Sequence, residues 1–246
     1  MGEFGVRDAL EQTGASFVTT CWTLLERARG DDPAARRAAA EECARVYWPP
    51  VYACARRLTR TRDEALDLTQ AFFAEVVLGR GLFDRADPGA GSARSLVRAA
   101  IKRFAVDQWR RGRARGGGLV LSGDAIEREE GMSRDEEPGA AFDRRWALSM
   151  FEEAMRRCAA HFESAGRGGH WELFEARVVR DPAMPLVEAA ARFGFDTPAL
   201  AAAAVQTVKR RLDAVLREVV AETARDEAQA AAEFDEVVGL LSMRGL

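Results

Sequence analysis

The 246-residue sequence has only two histidines and four cysteines. His161 and His170 form no H-E-x-x-H pattern, and Cys21, Cys43, Cys54 and Cys158 include no C-x-x-C pair. A zinc centre and a disulfide framework are left without their usual ligands. Gly116-Gly117-Gly118 is followed by no Gly-Lys-Ser/Thr, so it is not a phosphate loop. These absences argue against an enzyme, and no cofactor is expected. No run approaches the roughly 18 apolar residues of a membrane span. The N-terminal MGEFGVRDALEQTG lacks the basic-then-apolar order of a secretion signal. A cytoplasmic protein without membrane association is expected, which free thiols also suit.

β-branched residues are few, and no stretch alternates with period two for long. Ala, Leu, Arg and Glu dominate instead, and the fold class that follows is all-α. Residues 112–141 hold seven Gly, one Pro and a dense acidic run, which reads as a flexible linker. The predicted organisation is two small helical domains, the second with a helix-turn-helix. Residues 1–15 form a tail, 16–112 a first domain, 113–141 an acidic linker, 142–224 a second domain, and 225–246 an acidic extension. A turn at Asp87-Pro88-Gly89 divides the first half again, and Trp48-Pro49-Pro50 predicts a helix break or kink.

The net charge of −3 conceals segregation. Arg94, Arg98, Lys102, Arg103, Arg110, Arg111, Arg113 and Arg115 face only Asp107 within their stretch. From Asp124 to Glu137, seven acids accompany Arg128 and Arg134. On a helical wheel from Ser95 to Arg111, Leu96, Val97, Ala100, Ile101 and Phe104 share one arc, which predicts a core face. Arg98, Lys102, Ala105 and Trp109 fall on another. Cations beside an exposed aromatic can neutralise phosphates and stack on an unpaired base. A solvated basic face with Trp109 folded over the helix end is the alternative.

The segment Asp63–Leu78 (DEALDLTQAFFAEVVL) predicts a second amphipathic helix. Ala65, Leu66, Leu68, Thr69, Phe72, Phe73, Val76 and Val77 make its core face. Asp63, Glu64, Asp67, Gln70 and Glu75 make the polar half, which is either solvated surface or a dock for a basic partner. Later, residues 142–164 predict a long helix with Trp146, Met150 and Phe151 at core spacing. Pro185–Phe193 then forms a short helix, Gly194 a turn, and Thr197-Pro198 an N-cap and first helical position. The helix from Ala199 carries Gln206, Lys209, Arg210 and Arg211 to about Thr223. In a helix-turn-helix the second helix enters the major groove. In the extension, Phe234, Val237, Val238 and Leu241 make a stripe that either packs back on the parent domain or covers a basic face.

Four fragments in this order resemble bacterial RNA polymerase sigma factors of the extracytoplasmic-function (ECF) type. They are YWPPVYACARR (47–57), DEALDLTQAFFAEVV (63–77), FDRADPGAGSARSLVRAAIKRF (83–104) and FDRRWALSMFEEAM (142–155). The resemblance spans roughly residues 19–224. It implies that Asp63, Glu64, Asp67 and Gln70 bind the clamp helices of the core polymerase's largest subunit. It implies that Arg94, Arg98, Lys102, Arg103, Trp109 and Arg110 capture and help melt the promoter's minus-ten element. Gln206, Lys209, Arg210 and Arg211 would read the minus-thirty-five element. Promoter DNA and core RNA polymerase are the implied partners, and an anti-sigma factor is a further one that the sequence leaves open.

The sequence departs from that pattern in three places. Gly91-Ser92-Ala93-Arg94 lacks the aromatic of the corresponding turn. The reading helix opens ALAAAAV (199–205), which supplies no hydrogen bonds to bases. The turn before it, Gly194 to Thr197, is one residue longer. Two other readings therefore stand: a helix-turn-helix regulator that works without polymerase, and a sigma-like interaction protein that reads no promoter. The acidic segments around 122–137 could also shield the DNA faces.

Overall fold

The computed structural model describes residues 33–79, 81–82, 92–114 and 137–242. The tail at 1–15, Cys21, the Asp87-Pro88-Gly89 turn, Gly91, Arg115 and linker positions 115–136 lie outside the described residues. Every regular element among the described residues is helical, as expected. In chain order they are α1 (Pro33–Leu58), α2 (Arg62–Phe72), α3 (Ala93–Ala114), α4 (Pro138–Ser164), α5 (Gly168–Phe174), α6 (Leu186–Arg192), α7 (Pro198–Ala221) and α8 (Glu227–Ser242). Helices α2 and α5 continue into wider π-type turns over Phe73–Gly79 and Glu175–Arg180.

The chain forms two compact units. One runs up to Ser149 and resumes at Val220; the other is Met150–Val219. Both divisions fall inside helices, α4 and α7. The segment FDRRWAL, expected to open the second domain, thus belongs to the first unit. The extension from 225 belongs there too. The ends of the expected linker are also helical: α3 runs on to Ala114, and α4 begins at Pro138 with Pro in the first helical position.

In the first unit, α1 packs on α2 and α3. Pro49 and Pro50, where a break or kink was expected, lie inside one helix, so the helix does not break there. Trp48 stacks on Phe73 with ring centroids 5.4 Å apart, and Pro50 is buried. Those contacts hold the segment helical where two missing N–H donors oppose it. Helix α2 starts at a capping box: Thr61 Oγ1 accepts from Glu64 N at 3.2 Å, and Glu64 Oε2 accepts from Thr61 N at 3.2 Å. Its buried residues Ala65, Leu68, Thr69 and Phe72 follow the i, i+3, i+4, i+7 rule. Phe72 meets Phe104 of α3 edge-on at 5.9 Å.

Helix α3 is capped by Ser92, whose Oγ accepts from Ser95 N at 3.2 Å. Val97, Ile101 and Phe104 of its predicted core arc are buried, and so is Ala105 from the arc expected to be polar. Leu96 and Ala100 are half-buried. Trp146 on α4 is fully buried, as is Phe142. Each such side chain contributes about 1.5–3 kcal/mol on leaving water. Helix α8 is capped by Asp226, whose Oδ1 accepts from Gln229 N at 2.9 Å. It buries Phe234, Val237 and Leu241, while Val238 of the predicted stripe is exposed.

In the second unit, Met150 and Phe162 of α4, Leu173 of α5, and Val208 and Val215 of α7 are buried. Glu153 is buried there, with both Arg156 and Arg157 on its carboxylate at 2.7 Å. Burial alone would raise its pKa; the two guanidinium hydrogen bonds outweigh that and hold it below the usual range. Helix α6 ends at a turn where Gly194 takes φ +73°, a conformation that suits glycine. Thr197 Oγ1 accepts from Leu200 N at 3.2 Å and starts α7 where the sequence puts it.

Candidate nucleic-acid and partner interface

On α2, Asp63, Asp67 and Gln70 are exposed at i, i+4 and i+7. They form one outward stripe opposite the buried Leu68 and Phe72. Glu64, grouped with them from sequence, is half-buried and occupied by the capping box. It also accepts from Arg60 N at 2.9 Å. Its structural role was legible beforehand in Thr-x-x-Glu at 61–64. The stripe of carboxylate and amide groups is therefore Asp63, Asp67 and Gln70.

The basic helix α3 is divided into a covered and an open side. Arg94 is buried at 6% exposure, with its guanidinium 4.7 Å from the Trp146 ring centroid. It pairs with Asp143 at 3.5 Å and with Glu236. Arg98 pairs with Asp143, and Lys102 with Glu137. The Lys102 hydrogen bond holds Glu137 below the ordinary carboxylate range. Gly139 leaves room for this pair, since a Cβ there would meet Lys102 Nζ at 2.7 Å. Below these charges sits Cys54, whose thiol burial pushes up to about 12.

The open side carries Arg103, Val106, Asp107 and Arg110, all exposed. Neither Arg103 nor Arg110 pairs with an acid among the described residues. Trp109 is half-buried and has a partner within the protein. Its neighbour Gln108 donates to Glu75 Oε1 at 3.1 Å, and Arg111 lies 3.6 Å from Glu75. Of the arc expected to face outward, Ala105 is buried, Trp109 is half-buried, and Arg98 and Lys102 are partly exposed but paired with acids. Asp143 and Glu236 escaped the sequence reading because they lie 45 and 142 residues from the cations they meet. No local pattern could have announced them.

On α7, Gln206, Lys209 and Arg210 are exposed. Arg211 is half-buried and pairs with Glu218 at 3.3 Å. The same outward stripe begins with Ala199 and Ala203, and Leu200 beside them is 52% exposed. The first side chain on the stripe able to hydrogen-bond is therefore about 12 Å along the helix from its start. An apolar head is followed by a cationic middle.

His161 is exposed on α4. His170 lies between Phe162 and Phe195, with centroids 6.2 and 5.4 Å away. Burial, helped by Arg167, holds its pKa below the usual value. Among the described residues no cluster of His, Cys, Asp and Glu is placed to hold a metal. No described helix is long and apolar enough to cross a membrane. No family profile, curated protein or solved structure matches this chain.

Proposed function

We propose that the protein is a sigma factor of the ECF type, directing core RNA polymerase to promoters and helping to open the minus-ten region. The observation that carries this reading is the stripe of Asp63, Asp67 and Gln70. It stands clear of solvent-excluded neighbours on a helix whose sequence, DLTQ followed by a double Phe, resembles the polymerase-docking helix of that family. The residue types suit a basic, hydrogen-bonding partner surface.

In this reading α2 docks on the clamp helices of the largest subunit, and α3 meets the minus-ten strand. Arg103 and Arg110 are its first phosphate contacts. The pair α6–α7 acts as the helix-turn-helix, with Gln206, Lys209 and Arg210 toward DNA. Promoter melting needs no covalent step: capture of the separated strand shifts the population toward open DNA. The protein works in the cytoplasm beside its polymerase.

Co-purification with core polymerase tests the proposal. Wild-type protein should be retained, and D67A/Q70A should not. A folded wild-type chain that fails to bind core polymerase sinks it. The exposed apolar head of α7 favours a second reading, a sigma-like protein that binds polymerase without reading the minus-thirty-five element. Normal core binding with transcription independent of the minus-thirty-five sequence would select that reading.

A further inference from the structure

Three successive cations on one side of α3 are each met by a carboxylate from much later in the chain. Arg94 meets Asp143 and Glu236, Arg98 meets Asp143, and Lys102 meets Glu137. Asp143 lies in α4, Glu137 immediately precedes that helix, and Glu236 belongs to α8. Two other cations of the helix, Arg103 and Arg110, stay exposed. The division is by side of the helix, so the acids neutralise one face and leave the other.

Stability alone is a poor explanation for this arrangement. Removing a guanidinium from water costs several kcal/mol, and an apolar side chain against Trp146 would stabilise the core at least as well. What a buried, paired Arg94 does supply is a cation that can be released. Helix α8 is held by buried Phe234, Val237 and Leu241, by half-buried Leu240 and by Glu233, which accepts from Thr223, while Val238 and Gly239 face solvent. A helix of 16 residues gains its stability by docking, so it is a separable element.

We propose that Glu236 of α8, together with Glu137 and Asp143 around the start of α4, forms an acidic cap that competes with nucleic acid for the Arg94–Arg98–Lys102 face of α3, with α8 closing its Arg94 end. The inference rests on the reading of α3 as a nucleic-acid face. At buried Arg94 a phosphate must displace a carboxylate, and at the partly exposed Arg98 and Lys102 it competes with Asp143 and Glu137 for a cation already neutralised. The affinity of the free protein is reduced by the fraction of molecules in which the cap is raised. Whatever engages α8 from outside would open the Arg94 end of the face. Arg103 and Arg110 remain available meanwhile and give the closed form a weak, non-specific hold.

The test uses the full chain, a fluorescein-labelled oligo-dT strand and the double substitution E137Q/E236Q. Both carboxylates are more than half exposed, so the core is left intact. Affinity for the strand should rise about tenfold or more, and the log–log salt slope should steepen by about 0.7 per freed contact. Adding K102A to that background should remove most of the gain, because Arg98 keeps Asp143 in both proteins. Phenylglyoxal labelling of Arg94, located by peptide mass spectrometry, provides a readout free of nucleic acid: protected in wild type, reactive in E137Q/E236Q and in a chain lacking α8.

Arg94 that stays protected, with affinity unchanged, overturns the cap and leaves polymerase docking by α2 untouched. Arg94 that becomes reactive without any gain in strand binding also overturns it. In that case α3 is not a nucleic-acid face, and the proposed function loses its minus-ten contact.

Discussion

The guanidinium carbon of Arg94 lies over the fully buried Trp146 ring, 4.7 Å from its centroid. The pair joins α3 to α4 by a cation–π contact that is shielded from water, where such contacts reach about 2 kcal/mol. Trp146 Nε1 has no hydrogen-bond partner among the described residues, so the ring serves by its area and its face. Trp146→Ala should therefore cost about 3–5 kcal/mol. Trp146→Phe, which keeps a ring and loses no hydrogen bond, should cost distinctly less. Urea unfolding measures both; equal losses would deny the ring its role.

Glu64 and Asp67, three residues apart on α2, should separate stability from binding. Glu64→Ala opens the capping box and should lower stability by about 0.5–2 kcal/mol, while Glu64→Gln keeps most of it. Asp67→Ala touches only solvent-facing surface and should stay within about 0.5 kcal/mol of wild type. In the proposed role it should nonetheless weaken polymerase retention more than Glu64→Gln does. The two readouts are thermal unfolding and co-purification.

His170 gives the second unit a pH dependence with a definite sign. Its folded pKa is depressed, so the unfolded chain binds the proton more readily. Its contribution is fully present above the ordinary value of 6.5 and is lost as pH falls below it. That window lies above the carboxylate range in which Glu153 and Glu137 act. His170→Phe should flatten the stability profile just below pH 6.5 and leave the acid limb at lower pH. A profile unchanged by the substitution would remove His170 as its cause.

Glu233 acts in the opposite sense. Burial raises its pKa, against the pull of Arg94 and hydrogen bonds from Ser92, Thr223 and Gln229. Folding therefore favours its protonated form, and its contribution is present at acid pH and lost as pH rises through the raised folded value. Glu233→Gln should make the first unit more stable near pH 7 and remove that slope. Hydrogen exchange of the α8 amides against pH is the measurement. Exchange that quickens in Glu233→Gln at neutral pH would contradict the expectation.

The thiols report on the same region. Cys54 is buried and its pKa is pushed up to about 12; Cys158 is buried and pushed to about 11. Native protein at pH 8 should leave both unlabelled by a maleimide over times in which denatured protein reacts fully. Because Cys54 sits beneath the ion pairs of Lys102 and Arg98, its labelling rate should rise in E137Q/E236Q while that of Cys158 does not. Equal rates at Cys54 in the two proteins would mean that those pairs do not guard it.

The sequence discloses most of what is local in this fold. The heptad-like spacing of Leu68 and Phe72, the Thr197-Pro198 start of α7 and the Gly194 turn follow from side chains a few residues apart, and the structure places them accordingly. Ala105 shows where a wheel stops being informative: it lies at the border of two arcs, and packing against a neighbouring helix decides its side. Pro49-Pro50 shows a local rule overruled, since tertiary contacts at Trp48 and Pro50 keep α1 helical. The partners of Arg94 and Arg98 were illegible for a different reason. Charges at distant positions meet only when the chain is folded, and many acids in the sequence could have met them.

The 142 residues between Arg94 and Glu236 also set an order of events. During synthesis Glu137 and Asp143 follow α3 before the second unit is made, and Glu236 can reach Arg94 only after it. The first unit is thus finished by a segment that arrives after a complete intervening unit, a high-contact-order closure that should form late. Slowed or truncated translation past residue 220 would prolong the interval before that closure.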